Sequence, residues 1–532
     1  MKEYVVTLKN HDDLDSFYED METLGGNLYI PDRCVEVANR RPISVNTHYY
    51  LTEEEAVQVR NDPRVLACEL TPTELGLKPM PQWTQTSSFW NKSTANNSNY
   101  KNWGLLRCVE GQQRENWGDD SILTTKTVSG TITVNAEGRN VDIVIVDGFI
   151  NPNHPEMAVN SDGTGGTRVI QYNWLQHAAT SGTYVYGPYT DPTIEANNNH
   201  GMHVAGTATG NTQGWARSAN VYNIYPYGGD SNGIDTLLLF DYIRAWHNSK
   251  PINPITGRRN PTIVNNSWGY VAQLNIAGIT RVNFRGVNYT SGLTSSTLYG
   301  TYGVYNDGAN TYTSSEYLAI DADAISAMND GIIMVGAAGN SYSKIDIPTG
   351  VDYNNYYIWN NFIVYYHRGT SPVKATGQIN VGAVGRSIND SKAPFSNSGP
   401  RVDVYAPGRS IISSVHTGGV NDPRNSTYKI LKDSGTSMAS PQVTGVLACI
   451  LEVYPDMTQA EALDYIYKTS KYNQMTESSG NFADPSNLQG SVNRYLYYNK
   501  ERADSGTTWP KLNYKARPTN GRVYPRQRRR LK

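Results

Sequence analysis

The hydrophobic positions change period along the chain, and the changes mark its parts. Tyr4-Val5-Val6-Thr7-Leu8 predicts a strand, and Asp12–Leu24 predicts a helix with Leu14, Phe17, Tyr18 and Met21 along one side. Strand-like stretches follow around Asn27–Pro31 and Ile43–Leu51. Thr52, with Glu55 three residues later, forms a capping box and opens a helix that ends near Asn61-Asp62-Pro63. Val65–Leu70 reads as a closing strand, so the first seventy residues predict a small βαββαβ, ferredoxin-like unit.

From Thr71 to Asn102 the chain is Pro-, Ser-, Asn- and Thr-containing with no period, which reads as a linker or extended arm. From Val141 to about Ser470, aliphatic runs alternate with helical patterns. Val141–Val146 and Ile332–Val335 predict buried strands, and His200–Gly210, Tyr317–Asn329, Gln442–Tyr454 and Gln459–Thr469 predict helices. The third helix places Val443, Val446, Leu447, Ile450, Leu451 and Tyr454 on one face. Alternation of this kind implies an α/β fold with a parallel sheet. Two stretches rich in Tyr, Asn, Gly and Thr, residues 271–312 and 341–372, read as surface elaborations, because loops this long are usually functional or ordered by strands of their own. Near the C-terminus, Tyr498-x-Lys500-x-Arg502-x3-Gly506-x2-Trp509-Pro510-Lys511 is echoed by Arg517-x3-Gly521-x2-Tyr524-Pro525-Arg526. Two copies are too few for a solenoid. They read as a solvated tail or as a strap that docks onto a partner.

Composition narrows the function. At 532 residues there is room for two or three domains. Lys and Arg number 46 against 48 Asp and Glu, a balance that argues against a dedicated nucleic-acid binder and leaves only the Arg528-Arg529-Arg530 run in favour of one. No apolar run approaches the roughly 20 residues of a membrane helix, and the start of the chain shows no secretory signal pattern. A cytoplasmic or virion-associated location is therefore expected. Four cysteines without a C-x-x-C pair make neither a disulfide framework nor a zinc site, and read as small hydrophobes. The 38 tyrosines against 8 phenylalanines suggest wet, half-buried surfaces.

Three segments place reactive side chains at strand ends or helix starts. Asp147 directly follows the aliphatic run Val144-Ile145-Val146, where an open parallel sheet builds its sites. His200-Gly201-Met202-His203 opens a helix. Its two histidines stand three apart with no Glu between them, unlike a zinc-peptidase helix, so His200 is expected to face a cleft and His203 to pack. Gly435-Thr436-Ser437-Met438-Ala439-Ser440-Pro441 begins another helix. Pro441 is expected in its first turn and Ser437 beside the free N–H groups and positive dipole end, a setting that suits a nucleophile with a developing oxyanion.

In order Asp147, His200, Ser437, with Asn266-Ser267-Trp268-Gly269, Ala337-Ala338-Gly339-Asn340, Val381-Gly382-Ala383-Val384 and Tyr405-Ala406-Pro407-Gly408 between, the chain resembles subtilisin-like serine proteases over roughly 330 residues. The resemblance implies a three-layer α/β fold with a mostly parallel sheet. It makes Ser437 the nucleophile, His200 the general base, Asp147 its orienting partner and Asn340 an oxyanion donor. Ser267, Trp268 and Gly269 become one wall of the substrate cleft, with Gly336, Ala337 and Ala338 opposite. No cofactor is implied; the short connection from Thr207 to Ala216 lacks the family's strong calcium loop, while a weaker calcium site elsewhere stays open. Departures from the family pattern are Gly148 and Phe149 after the catalytic Asp, and Met202 between Gly201 and His203.

The N-terminal unit resembles the inhibitor-type propeptide of these enzymes, with the sequence from Trp103-Gly104-Leu105 resembling the start of a mature enzyme. The implied division is a propeptide-like domain at 1–72, a linker with the processing site at 73–115, a catalytic domain at 116–475 and a tail at 476–532. The implied partners are a protein or peptide substrate, the chain's own propeptide, and a larger assembly reached through the inserts and tail. The alternative is a structural protein on a protease fold, since the Tyr- and Asn-rich composition also resembles virion proteins of tailed bacteriophages.

Overall fold

A computed structural model describes residues 1–35, 43–72, 74–75, 79–81, 84–85, 103–110, 136–174, 199–226, 234–385 and 390–498. The C-terminal repeat beyond Tyr498 and most of the expected linker lie outside the described residues.

The centre is a nine-stranded sheet in the order Lys471–Tyr472, Arg494–Tyr495, Val404–Pro407, Ile379–Val384, Ile333–Ala337, Thr262–Asn266, Asp142–Val146, Asn220–Ile224, Val169–Ile170. All neighbours run parallel except the first pair. Its inner strands are aliphatic on both faces, as strands covered by helices on each side must be: Ile143 and Ile145 join one core cluster, Val144 and Val146 the other. Helices His200–Thr209 and Thr436–Val453 pack on the first face, and Leu239–Ser249 and Leu318–Asn329 on the second. This three-layer α/β architecture agrees with the sequence reading. No helix among the described residues is long and apolar enough to cross a membrane.

The N-terminal unit differs in one respect from expectation. Its sheet has three strands, Asn46–Leu51, Lys2–Leu8 and Val65–Leu70, with Lys2–Leu8 central and both pairings antiparallel. The stretch Asn27–Pro31 is not a strand: Pro31 has no N–H to give a ladder, and Asp32 turns the chain with φ of 58°. Past that turn, a single bridge sets Cys34 opposite Tyr49, with Val35 N donating to the His48 carbonyl and Tyr50 N to the Arg33 carbonyl, each at 2.9 Å. The capping box forms as read, with Thr52 Oγ1 accepting from Glu55 N at 3.3 Å and Glu55 Oε2 accepting from Thr52 N at 2.8 Å. The unit packs on helix Leu318–Asn329, where Glu69 Oε2 accepts from Leu318 N at 3.1 Å and Asn46 Nδ2 donates to Asp323 Oδ2 at 2.7 Å. Val5 enters the second core cluster beside Tyr317 and Ala319.

The two tyrosine-rich inserts, distant in sequence, fold together. Strands Val287–Tyr289, Ile279–Phe284, Tyr356–Trp359 and Phe362–Tyr365 form one antiparallel sheet over a satellite core of Ile279, Val282, Leu298, Tyr302, Val304, Tyr357 and Tyr366. Tyrosine serves here as the packing aromatic: Tyr357 stacks on Tyr366, and its hydroxyl meets Thr313 Oγ1 at 2.7 Å. No disulfide joins any of the four cysteines, and Cys68, Cys108 and Cys449 are buried.

The connection after His200–Thr209 is a tight turn over Gly210–Gly214. The buried carboxylate of Glu156 organises it, accepting from Thr212 N at 2.9 Å, Thr212 Oγ1 at 2.5 Å and Gln213 N at 3.1 Å, with Arg424 paired to the same carboxylate. Glu156→Ala leaves these donors and a buried guanidinium short of an acceptor, and is expected to cost about 3–5 kcal/mol in urea unfolding at pH 7. A loss under about 1 kcal/mol would show that water replaces the carboxylate.

Candidate active site

Three parallel strands of the central sheet end at the same edge beside an expected residue, and His200 and Ser437 lie in the first turns of two helices. Asp147 follows Asp142–Val146, Ser267 follows Thr262–Asn266, and Asn340 lies three residues past Ile333–Ala337. The Asp147 turn is fastened by Asn223, whose Nδ2 donates to the carbonyls of Ile145, Asp147 and Gly148 at 3.1–3.2 Å. Gly148 N donates to Asp147 Oδ1 at 2.7 Å, so the family's missing hydroxyl at this place still leaves a backbone donor on the carboxylate. Phe149 is buried against Tyr225, with ring centroids 4.5 Å apart.

His200 is the first residue of its helix and almost fully buried. Its Nδ1 meets Asp147 Oδ1 at 2.7 Å, which fixes the ring and leaves Nε2 as the edge turned away from the carboxylate. The approach of helix to turn requires Gly201, because a Cβ there would stand 1.9 Å from the Gly148 carbonyl oxygen. Asn199 ties the helix start to the neighbouring loop by accepting from His416 N and Thr417 N at 2.9 and 3.0 Å. Met202 is buried and its Sδ accepts from Asn151 N at 3.3 Å. His203 packs as expected. Its Nε2 lies 3.0 and 3.2 Å from the carbonyls of Ile411 and Leu431, and burial pushes its pKa down to about 3.

The Ser437 helix runs Thr436–Val453, six residues longer at its start than the periodicity predicted. Pro441 therefore lies inside the helix, as its sixth residue, not in the first turn. The physical consequence is local: Pro441 has no N–H for the carbonyl four residues back, which belongs to Ser437. That carbonyl instead accepts from Ser267 Oγ at 3.0 Å, and Ser437 Oγ in turn donates to the Ser267 carbonyl at 3.2 Å. The hydroxyl of Ser267 is oriented by Asn265, whose Nδ2 lies 2.9 Å away and whose Oδ1 accepts from Ser440 and Thr444, each at 2.9 Å.

Thr436 performs the matching task for Asn340. Its N and Oγ1 both donate to Asn340 Oδ1 at 2.9 Å, while its Oγ1 accepts from Gly339 N at 3.1 Å. Two donors on Oδ1 settle the amide orientation and leave Nδ2, buried and without a hydrogen-bond partner among the described residues, available as a donor. Gly339 adopts a φ of 105°, which lets the chain leave the strand and aim Asn340 back at the helix. Trp268 and Gly269 continue from Ser267 into the buried start of strand Trp268–Asn275, and Gly336, Ala337 and Ala338 are buried in and after Ile333–Ala337, the strand that pairs with Thr262–Asn266. Sequence reasoning gave no role to Asn223, Asn265 or Thr436. Asn223 and Asn265, polar side chains that follow aliphatic residues within sheet strands, were the available signal.

Two short segments of the chain's own backbone flank the site. Pro79–Pro81 pairs antiparallel with Trp268–Tyr270, and Thr84-Gln85 pairs antiparallel with Asp433-Ser434. Asp433 is buried; burial pushes its carboxyl up to about 7, opposed by the Ser434 N–H and by His200. A group raised above its unfolded pKa favours folding below the unfolded value and loses that advantage as pH rises through about 7. Asp433→Asn is thus expected to be more stable than wild type at pH 8 and no more stable at pH 5, read by urea midpoints at the two pH values. Equal differences at both would remove Asp433 as the titrating group.

Known proteins resemble the chain over much of its length. The chain is 26% identical over 359 residues to an extracellular serine proteinase of Thermus sp. (strain Rt41A), a match covering 67% of this chain and 62% of that protein. It is 27% identical over 337 residues to subtilisin E of Bacillus subtilis (strain 168), covering 63% and 61%. Fervidolysin from Fervidobacterium pennivorans, a keratinolytic enzyme related to subtilisin, aligns in structure with a TM-score of 0.49 and 18% identity, over 92% of this chain and 60% of that one. The chain thus spans less than two thirds of the length of each of these proteins. The model of the Subtilase family matches residues 138–491, more than half of the chain and every residue assembled above at the sheet edge, and the protein belongs to that family.

Proposed function

We propose that the protein is a serine endopeptidase that works through Asp147, His200 and Ser437 and removes its own N-terminal unit. The observation that carries the reading is the Asp147–His200 pair at 2.7 Å, set at the same sheet edge as a serine held in the first turn of a helix. His200 takes the Ser437 proton through Nε2 as Oγ attacks a peptide carbonyl, and the buried Asp147 carboxylate stabilises the imidazolium that forms. The tetrahedral oxyanion is met by Asn340 Nδ2 and by the Ser437 backbone N–H at the positive end of the helix. Returning the proton to the amine frees the first product and leaves an acyl-enzyme on Ser437. Water then enters, His200 takes its proton, and the acid product leaves with Ser437 restored.

Three features support self-processing. The N-terminal unit docks on helix Leu318–Asn329, its strand Val65–Leu70 leads toward the site, and the segments Pro79–Pro81 and Thr84-Gln85 lie along the cleft on either side of Ser437. The interface also carries a pH dependence. Burial pushes Glu69 up to about 7 against the pull of the Leu318 and Ala319 N–H groups, and the nearby acids Asp321 and Glu316 push it the same way. Docking therefore gains most below the ordinary carboxylate range and loses that gain as pH rises through about 7.

Ser437→Ala is expected to abolish casein hydrolysis. Asn340→Ala should lower kcat by roughly 10²–10³-fold, the size of effect a lost oxyanion donor has in subtilisin itself, with KM little changed. A variant that lost KM instead would place Asn340 in ground-state binding. For the docked unit, inhibition of hydrolysis should weaken between pH 6 and pH 8 in wild type. In Glu69→Gln that step should flatten; an unaltered step would assign it to another group.

A further inference from the structure

Asp147 and His200 belong to two separate pieces of chain. Asp147 begins the turn Asp147-Gly148-Phe149 after a sheet strand, and His200 opens a helix 53 residues later. The 2.7 Å bond between them is only as constant as the spacing of the two backbones that carry it.

Strand Ile411–Val415 brings a third piece that bonds to both. It lies along helix His200–Thr209, where Gly206 makes room: a Cβ there would stand 2.3 Å from Ser413 Oγ and 2.2 Å from Ser414 Oγ. Ser414 Oγ donates to the Met202 carbonyl at 3.2 Å, and the Ile411 carbonyl lies 3.0 Å from His203 Nε2. The strand thus delivers His416 to the start of the helix. There the backbone N–H groups of His416 and Thr417 donate to Asn199 Oδ1 at 2.9 and 3.0 Å, and Asn199 Nδ2 donates to the Thr417 carbonyl at 2.9 Å. The ring of His416 meets the other piece, its Nε2 standing 2.9 Å from the Phe149 carbonyl. A carbonyl only accepts, so Nε2 carries the proton and Nδ1 is bare. Nδ1 is buried and has no partner among the described residues, which leaves the ring committed to Phe149. Phe149 is itself held, because its ring is buried against Tyr225.

Resting on the protease reading above, we propose that His416 is a positioning residue for Asp147 and His200. It clamps the turn that carries the carboxylate to the start of the helix that carries the imidazole, and so sets their separation. It acts through Phe149 and Asn199. The clamp matters most when His200 takes the Ser437 proton, since the imidazolium needs the carboxylate close and in line. Losing it lets the two pieces drift, which slows the chemical step without weakening the hold on substrate. Phe149, a departure from the family pattern, thereby gains a reason: its ring anchors the turn and its carbonyl receives the clamp.

Glutamine places its amide nitrogen as many bonds from Cα as histidine places Nε2, whereas asparagine reaches only as far as Nδ1. His416→Gln can therefore keep the bond to Phe149, and His416→Asn cannot. In casein hydrolysis His416→Asn is expected to lose roughly tenfold in kcat, the factor carried by one hydrogen bond, with KM within about twofold and His416→Gln close to wild type. An Asn variant as fast as wild type, a Gln variant as slow as the Asn one, or a loss carried by KM overturns the clamp. The far-downfield NMR signal of the proton between Asp147 and His200 reads the same geometry in a Ser437→Ala background, where no turnover is needed. His416→Asn should shift or broaden that signal and His416→Gln should preserve it. An unaltered signal in His416→Asn, at an unaltered thermal midpoint, refutes the clamp whatever the activity. The expected shift, found in a protein whose Ser437 form leaves casein untouched, supports the clamp and overturns the protease reading instead.

Discussion

A missing hydrogen bond organises the site. Because Pro441 cannot donate to the carbonyl of Ser437, that carbonyl is free to accept from Ser267 Oγ, and the first turn of the helix is tied to the end of a neighbouring strand. The turn is tied a second time through Thr436, which holds Asn340 at the end of the next strand. Ser437, Ser267 and Asn340 are thereby set against one another by five hydrogen bonds of 2.9–3.2 Å rather than by loop conformation. Placement of this kind is what a reaction of oriented groups needs, since small errors in position cost large factors in rate.

The ties reach back into the sheet. Asn265 and Asn223 sit in strands of the central sheet and would be costly there without partners, but each places its amide on the site's own elements. Asn265 links Ser267 to Ser440 and Thr444 of the Ser437 helix, and Asn223 holds the turn that carries Asp147. The outer parts of the molecule are arranged around this edge without taking part in it: the N-terminal unit covers helix Leu318–Asn329, and the tyrosine-rich inserts build a sheet and core of their own.

Much of this was legible in the sequence, and the failures have physical reasons. Helix Gln459–Thr469 and the Thr52–Glu55 capping box were read to the residue, because periodicity and a local side-chain bond determine them. Asp147 at a strand end followed from the aliphatic run before it. The start of the Ser437 helix was misjudged because Gly435-Thr436-Ser437 and Pro441 read locally as a boundary, whereas bonds to Asn340 and Ser267 extend the helix through them. Asn27–Pro31 read as a strand from its composition, but Pro31 and the turn at Asp32 deny it a ladder. The union of residues 271–312 with 341–372 in one sheet is a pairing between distant segments, which no local pattern announces. Roles for Asn265 and Thr436 were hidden for the same reason, since a polar residue in a motif does not reveal its partner.

The central claim is that the first turn of the Ser437 helix and the strand end bearing Asn340 act as one unit. A double-mutant cycle on kcat with Thr436→Val and Asn340→Ala tests it most directly. If Thr436 works by aiming the Asn340 amide, the double variant will be scarcely slower than Asn340→Ala alone, giving a coupling of about 1–3 kcal/mol. Independent losses that simply multiply would contradict the account.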